Sequence, residues 1–172
     1  MEQFLEVLAF SAYKHRAQRR KDRHASAYIN HPIELARVLH NEGGVSDSIT
    51  LSAAILHDTV EDTQTTHAEL ARKFGAGIAA VVMEVTDNKR LHKHTRKRLQ
   101  IEHARTLSPQ ARLVKLADKI CNLRDVALRP PASWDLARRR EYFDWAKQVV
   151  DGLRGVHPTL EGAFDAAYRM RK

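Results

Sequence analysis

Two histidines and two aspartates in this sequence have the residue types and neighbours of a metal site. His31 stands before Pro32, and a residue before proline is pushed toward extended geometry, which predicts His31 at the mouth of a helix. The pair His57-Asp58 ends an apolar run, and Asp118 has apolar neighbours at helical spacing. A buried carboxylate has to be paired or ligated. Two imidazoles and two carboxylates suit a six-coordinate Mn²⁺ or Fe²⁺ ion, with positions left for water and substrate.

Two more carboxylates follow this motif at once. Glu61 and Asp62 come three and four positions after Asp58, one helical turn further on. So many acidic groups in one turn repel one another unless a cation lies among them. We therefore predict that Glu61 and Asp62 orient or deprotonate a water molecule beside the ion. The alternatives are helix caps and satisfied core polar groups for the first set, and an acidic capping turn before Thr66 for these two.

Basic residues form a second set. Arg20 and Lys21 come shortly before His31, and an arginine can grip a phosphate through two donors or stack flat on a base. Asn122 lies four residues after Asp118, on the same predicted helix face, where it could contact a ligand held by the ion. A satisfied core asparagine fits that spacing equally well, and most of the other basic residues are typical of a solvated face.

The elements that must position these residues are predicted to be helices, because apolar residues recur at spacings of three and four along the chain. Two irregular basic stretches, 19–30 and 86–93, are candidate substrate loops. Pro130-Pro131 is predicted to end a long helix. The residues predicted to cap helix N-termini are Asp47, Thr66, Ser108, Ser133 and His157. The side chains predicted to pack in the core are Cys121, Trp134, Phe143 and Trp145.

Composition bounds the class of protein. The 172 residues are 43% hydrophobic and 29% charged, which excludes disorder as the default and fits one domain over 1–172. The single cysteine excludes a disulfide framework and a cysteine-built zinc site. No apolar run can span a bilayer and the N-terminus does not resemble a signal peptide, so we expect a cytoplasmic protein with no membrane partner. The net charge of +8 favours polyanionic partners.

The sequence segments around these residues resemble those of the hydrolase domain of RelA/SpoT homologues, which are HD-domain metallohydrolases. The most specific motif is Leu-His-Asp-Thr-Val-Glu-Asp-Thr over 56–63. Tyr-Ile-Asn-His-Pro over 28–32 and Lys-Leu-Ala-Asp-Lys over 115–119 accompany it. The short length and the stretch Glu-Tyr-Phe-Asp-Trp-Ala over 141–146 are most similar to the single-domain, Mesh-type small alarmone hydrolases. The resemblance covers about 4–160.

This resemblance implies an all-α, compact multi-helix HD-domain bundle. It also implies hydrolysis of the 3′-pyrophosphate of guanosine tetra- and pentaphosphate with one Mn²⁺ ion, to GDP or GTP and pyrophosphate. The implied metal ligands are His31, His57, Asp58 and Asp118. The residues implied to position the attacking water are Glu61 and Asp62. The implied substrate contacts are Arg20, Lys21, Lys93, Asn122, Arg138 and Tyr142.

Three other functions stay open at this point. Single-domain relatives also remove the 2′-phosphate of NADPH, so the motif does not fix the substrate. An HD phosphohydrolase for another nucleotide, such as a dNTP, is a second possibility, which the loop at Arg20-Lys21 argues against. A basic nucleic-acid-binding protein without metal is the third, and the intact ligand set argues against it. We expect a small nucleotide as partner and no specific nucleic acid, while the oligomeric state is not fixed by the sequence.

Overall fold

The protein is all α-helical, as predicted. A computed structural model describes residues 2–172, in which the only β-type pairing is one antiparallel bridge between Arg19 and Ala27. Among the helices of this part of the chain, none has the length and apolar character that a membrane crossing requires. The helices are α1 (Glu2–Lys14), α2 (Asn30–Arg37), α3 (Ser48–Leu56), α4 (Thr59–Asp62), α5 (His67–Phe74), α6 (Ala76–Val85), α7 (Lys93–His103), α8 (Pro109–Leu128), α9 (Leu136–Leu153) and α10 (Pro158–Tyr168).

Side-chain caps begin these helices at most of the predicted positions. The Asp47 carboxylate accepts from two backbone N–H groups at the start of α3, and the Thr66 hydroxyl accepts from the Glu69 N–H at the start of α5. Ser108 caps α8 in the same way. Each cap satisfies donors that the first helical turn leaves without partners. The predicted cap at His157 is confirmed for α10.

The predicted cap at Ser133 is wrong. Helix α9 begins two residues later, and the Asp135 side chain accepts from the Arg138 N–H at 2.8 Å. The two prolines before α9 are followed by a short turn, in which the Trp134 N–H donates to the Pro131 carbonyl. This turn keeps Trp134 outside the helix, so Asp135 becomes the capping residue. Helix α7 was not predicted, because it has no buried residue and therefore no apolar stripe to recognise.

We predict that Asp135→Ala will lower the free energy of unfolding by about 1 kcal/mol, because the first turn of α9 loses its side-chain acceptor. Ser133→Ala should leave it unchanged, since Ser133 caps nothing and is exposed. Urea denaturation of the two variants beside the parent protein measures this difference. Equal losses in both variants would contradict the assignment of the cap.

One continuous apolar core holds the helices together, and α3 and α8 lie at its centre. Helix α3 is buried over nearly its whole second half, while α8 buries one face along its length. The hydroxyl of Ser11 in α1 donates to the Ile55 carbonyl at 2.8 Å, which ties α1 to the end of α3. Since both helices are fixed by packing, the residue after α3 and the middle of α8 have fixed positions. These are the places where His57 and Asp118 lie.

Candidate metal centre and nucleotide cavity

Three of the four predicted metal ligands meet in the interior. One side-chain atom from each of His31, His57 and Asp118 lies within 4.8 Å of the others. His31 belongs to the first turn of α2, and its Nε2 is 3.2 Å from Asp118 Oδ1. His57 directly follows α3, and its Nε2 is 4.0 Å from the same oxygen. Asp58 lies beside this group, with Oδ2 at 2.9 Å from His57 Nε2.

The hydrogen bonds around the cluster leave ligand atoms free. His57 Nδ1 lies 2.8 Å from the Ala54 carbonyl, which fixes the ring and directs Nε2 into the cluster, where it faces Asp58 Oδ2 at 2.9 Å. Asn122 donates to Asp118 Oδ1 at 2.6 Å and Lys119 donates to Oδ2 at 3.0 Å. A buried imidazole nitrogen that faces two carboxylates is a donor set that fits a divalent cation. The described residues could therefore hold one.

The charges of the cluster shift its pKa values strongly. Burial alone would lower the pKa of His57, but Asp58 and Asp118 outweigh it and raise that pKa to about 9. Burial lowers the pKa of His31. Burial opposes ionisation of Asp118, yet the Lys119 ammonium and His31 hold the pKa of this carboxyl well below its usual range. Without a metal ion, the cluster is thus most stable with the Asp118 carboxylate ionised and the His57 imidazole protonated.

Glu61 and Asp62 lie on the single turn of α4, next to the cluster. Glu61 Oε2 accepts from the Asp87 N–H at 3.1 Å, and Arg96 approaches the other oxygen at 3.6 Å. Asp62 pairs with Lys89 and lies 3.4 Å from the Tyr28 hydroxyl. The loop after α6 therefore contacts both acids, through Asp87 and Lys89. This places the loop beside the site, and its role as a substrate loop stays a prediction.

Burial raises the pKa of Glu61 to about 7, with the negative charges of Asp87, Asp58 and Asp62 adding to it. The folded state then binds a proton that the unfolded chain releases near pH 4.5, so the wild type loses stability as pH rises from about 4.5 to 7. We predict that Glu61→Gln, measured by urea denaturation in EDTA, gains about 1–3 kcal/mol over the wild type at pH 8. It should gain little at pH 4.5, and an equal gain at both pH values would contradict this account.

The residues predicted to contact the nucleoside line a cavity of about 280 Å³, which we call the loop cavity. Arg20 donates to Asp125 at 2.7 Å and to Asn122 at 3.3 Å, and its guanidinium lies 5.7 Å from the Tyr28 ring centroid. This arrangement presents a fixed flat cation at the wall of the cavity. The structure thus brings Arg20, Lys21 and Asn122 together beside the metal cluster.

The remaining residues predicted to contact the substrate line another cavity of about 440 Å³, which we call the basic cavity. Lys93 and Arg138 are exposed there, and Tyr142 lies between Trp134 and Trp145 with ring centroids 5.3 Å apart on each side. The packing prediction for these two tryptophans is incomplete, because both also face the cavity. The prediction that Cys121 and Phe143 are core residues is confirmed.

Several residues of the site were missed by sequence reasoning. The Tyr28 hydroxyl donates to Asp58 Oδ2, and Gln18 Nε2 donates to the Asp62 carbonyl at 2.7 Å. Lys115 and Lys119 line the metal cluster from α8 although lysines are rarely buried. The signal available in the sequence was their spacing: both lysines lie within one turn of Asp118 on the inward face.

Comparison with known proteins gives one consistent result. A family model described as an HD domain matches residues 7–143. The guanosine-3′,5′-bis(diphosphate) 3′-pyrophosphohydrolase MESH1 of Homo sapiens is 53% identical over 169 residues, covering 98% of this chain and 94% of that protein. The Xenopus tropicalis protein of that name is 53% identical over 161 residues, covering 94% of this chain and 90% of that protein. A solved structure described as a metazoan ortholog of SpoT that hydrolyzes ppGpp matches with a TM-score of 0.97 and 46% identity, over 99% of this chain and 96% of that one.

Proposed function

The chain belongs to the HD-domain family, and from this premise we propose that it hydrolyses the 3′-pyrophosphate of guanosine 3′,5′-bis(diphosphate). The observation that carries the proposal is the meeting of three features in one connected region. These are the His31–His57–Asp118 cluster, the carboxylates of Glu61 and Asp62, and a cavity of about 280 Å³ walled by Arg20. The similarity to MESH1 proteins, which spans nearly both chains, supplies the substrate.

The proposed resident cofactor is one Mn²⁺ ion, held by His31, His57, Asp58 and Asp118. When bound, such an ion supplies Lewis acidity, which withdraws charge from a phosphoryl oxygen and acidifies water. The hard carboxylate and borderline imidazole donors suit Mn²⁺ or Fe²⁺. Lys119 and Asn122 hold the Asp118 carboxylate in place from outside the cluster.

In the proposed reaction, Glu61 and Asp62 orient the attacking water and receive its proton. A carboxylate whose pKa is about 7, as for Glu61, is suited to take a proton near neutral pH. The water oxygen bonds to the phosphorus attached to O3′, the bond from that phosphorus to O3′ breaks, and a proton goes to O3′. The products are the nucleoside 5′-diphosphate and pyrophosphate.

The basic residues are proposed to bind the nucleotide. Arg20 would lie against the base, while Lys21 and Asn122 contact the nucleoside and its phosphates. Lys93, Arg138 and Tyr142 would reach the 5′-phosphates in the basic cavity. A chain with a net charge of +8 attracts a tetraanionic or more highly charged nucleotide over distance, and this attraction weakens with salt.

The test is release of pyrophosphate from guanosine tetraphosphate with Mn²⁺, measured beside release of phosphate from NADPH, with Asp58→Ala as the control. Pyrophosphate release that the control abolishes supports the proposal. Phosphate release from NADPH alone would keep the site and replace the substrate by the second candidate. No release from either substrate would overturn the proposed activity.

A further inference from the structure

Lys115 is a buried cation that the packing of the fold does not explain. It lies on α8, three residues before Asp118, and is 9% exposed. Its Nζ donates to the carbonyl of Val85, the last residue of α6, at 2.9 Å. It also lines the metal cavity, the space of about 190 Å³ that contains His31, His57 and Asp118.

The hydrogen bonding of Lys115 is incomplete. An ammonium group has three donors, and within residues 2–172 only the Val85 carbonyl accepts from it. None of the ion pairs in that part of the chain includes Lys115, whereas Lys119, one turn on, lies 3.0 Å from Asp118 and 4.4 Å from the Trp145 ring centroid. A buried charge with one neutral partner is costly, and an aliphatic side chain would fill the space at lower cost.

The metal cavity adjoins three other cavities, and it meets the basic cavity at Asp87 and Gln100. It shares Arg20, Tyr28, Asp62 and Asn122 with the loop cavity. It shares Asp87, Gln100 and Lys115 with another space of about 190 Å³ beside α7. Lys115 does not line the loop cavity, and Arg20 does not line the space beside α7. A group that enters past Arg20 and extends through the metal cluster toward α7 therefore meets Lys115, which lines neither the loop cavity nor the basic cavity.

We propose that Lys115 binds the distal phosphate of the 3′-pyrophosphate and thereby selects a pyrophosphoryl group over a monophosphoryl group. This inference rests on the proposed function, because a nucleoside held against Arg20 sets the direction of its 3′ substituent. The carboxylates of Glu61, Asp62 and Asp118 surround the same cavity, so an entering anion needs a cation there besides a metal ion. Burial and the neighbouring Lys119 ammonium lower the pKa of Lys115, and an anionic phosphate beside it favours the charged form. As an ammonium group, Lys115 donates its free N–H groups to the distal phosphate oxygens.

The first test measures binding without turnover. Pyrophosphate or inorganic phosphate is titrated calorimetrically into the protein, with both solutions equilibrated at the same Mg²⁺ concentration. We expect Lys115→Met to weaken pyrophosphate binding by about 10- to 100-fold and phosphate binding by less than about threefold. Lys147→Met is the matched control, because Lys147 is an exposed lysine that pairs with Asp151 and lines none of these cavities. Unchanged pyrophosphate binding, or equal losses for both anions, would overturn the proposal.

The second test measures selectivity in turnover. The kcat/KM for guanosine 3′,5′-bis(diphosphate) should fall at least tenfold more in Lys115→Met than the kcat/KM for the 5′-diphosphate 3′-monophosphate analogue. A residue that only supports the fold would lower both equally, and that result would overturn the proposal. If Lys115→Met does not fold, Lys115→Gln keeps a donor for Val85 and gives the same comparison. If the wild type releases no pyrophosphate, the proposed function fails alone, and the binding test still decides on Lys115.

Discussion

Asp62→Asn is expected to lower kcat for pyrophosphate release by about 10²- to 10⁴-fold while the protein keeps its divalent ion. The asparagine has the same shape: its one oxygen can still accept from Lys89, and its Nδ2 group then faces the Tyr28 hydroxyl oxygen. It cannot carry the negative charge that orients water and stabilises a departing proton. Asp62 pairs with Lys89 and is not one of the four proposed metal ligands, so ion binding should not depend on it.

The measurement pairs steady-state pyrophosphate release with a calorimetric titration of Mn²⁺ into the same preparation. Asp151→Asn is the control, because Asp151 is an exposed carboxylate of α9 whose ion pairs within residues 2–172 are with Lys147 and Arg154. Full turnover in Asp62→Asn would remove Asp62 from the mechanism. Loss of the ion would instead make Asp62 a ligand. Because Glu61 and Asp62 are proposed to act on one water, the double variant should lose far less than the product of the single losses.

Much of the metal cluster could be predicted from the sequence because it depends on local signals. His31 is placed by the proline after it and His57 by the end of an apolar run, and both signals act within a few residues. Asp118 could be predicted to face inward because Val114 and Cys121, which lie at helical spacing from it, are apolar. The structure confirms that His31 lies at the start of a helix, but the extended geometry predicted for it is wrong, because α2 already begins at Asn30. It brings the three side chains within 4.8 Å of one another.

The rest of the site could not be predicted, because it depends on contacts between distant parts of the chain. Gln18 reaches the Asp62 carbonyl across 44 positions, and Arg20 reaches Asp125 across 105. Lys115 and a surface lysine look alike in the sequence, and only the packing of α6 against α8 shows that one of them is buried. Helix α7 is held by tertiary bonds such as Trp145 Nε1 to the Lys97 carbonyl at 3.0 Å, not by an apolar stripe.

The second large effect is expected for His57→Gln, which should remove the stabilisation that a divalent ion gives to the fold. An ion present at a hundred times its Kd raises the free energy of unfolding by about 2.7 kcal/mol when it binds only the folded state. His57 is proposed to supply one ligand through Nε2, the buried nitrogen that faces Asp58 and Asp118. The glutamine amide can still donate to the Ala54 carbonyl as Nδ1 does, so the variant should fold.

Urea denaturation of His57→Gln with Mn²⁺ and with EDTA gives the test, because the difference between the two conditions cancels any loss in the metal-free protein. The wild type and His67→Gln, whose histidine is exposed at the start of α5, should both show the full increase with Mn²⁺. His57→Gln should show almost none, and its pyrophosphate release should fall below detection. An unchanged increase in His57→Gln would mean that the ion binds elsewhere.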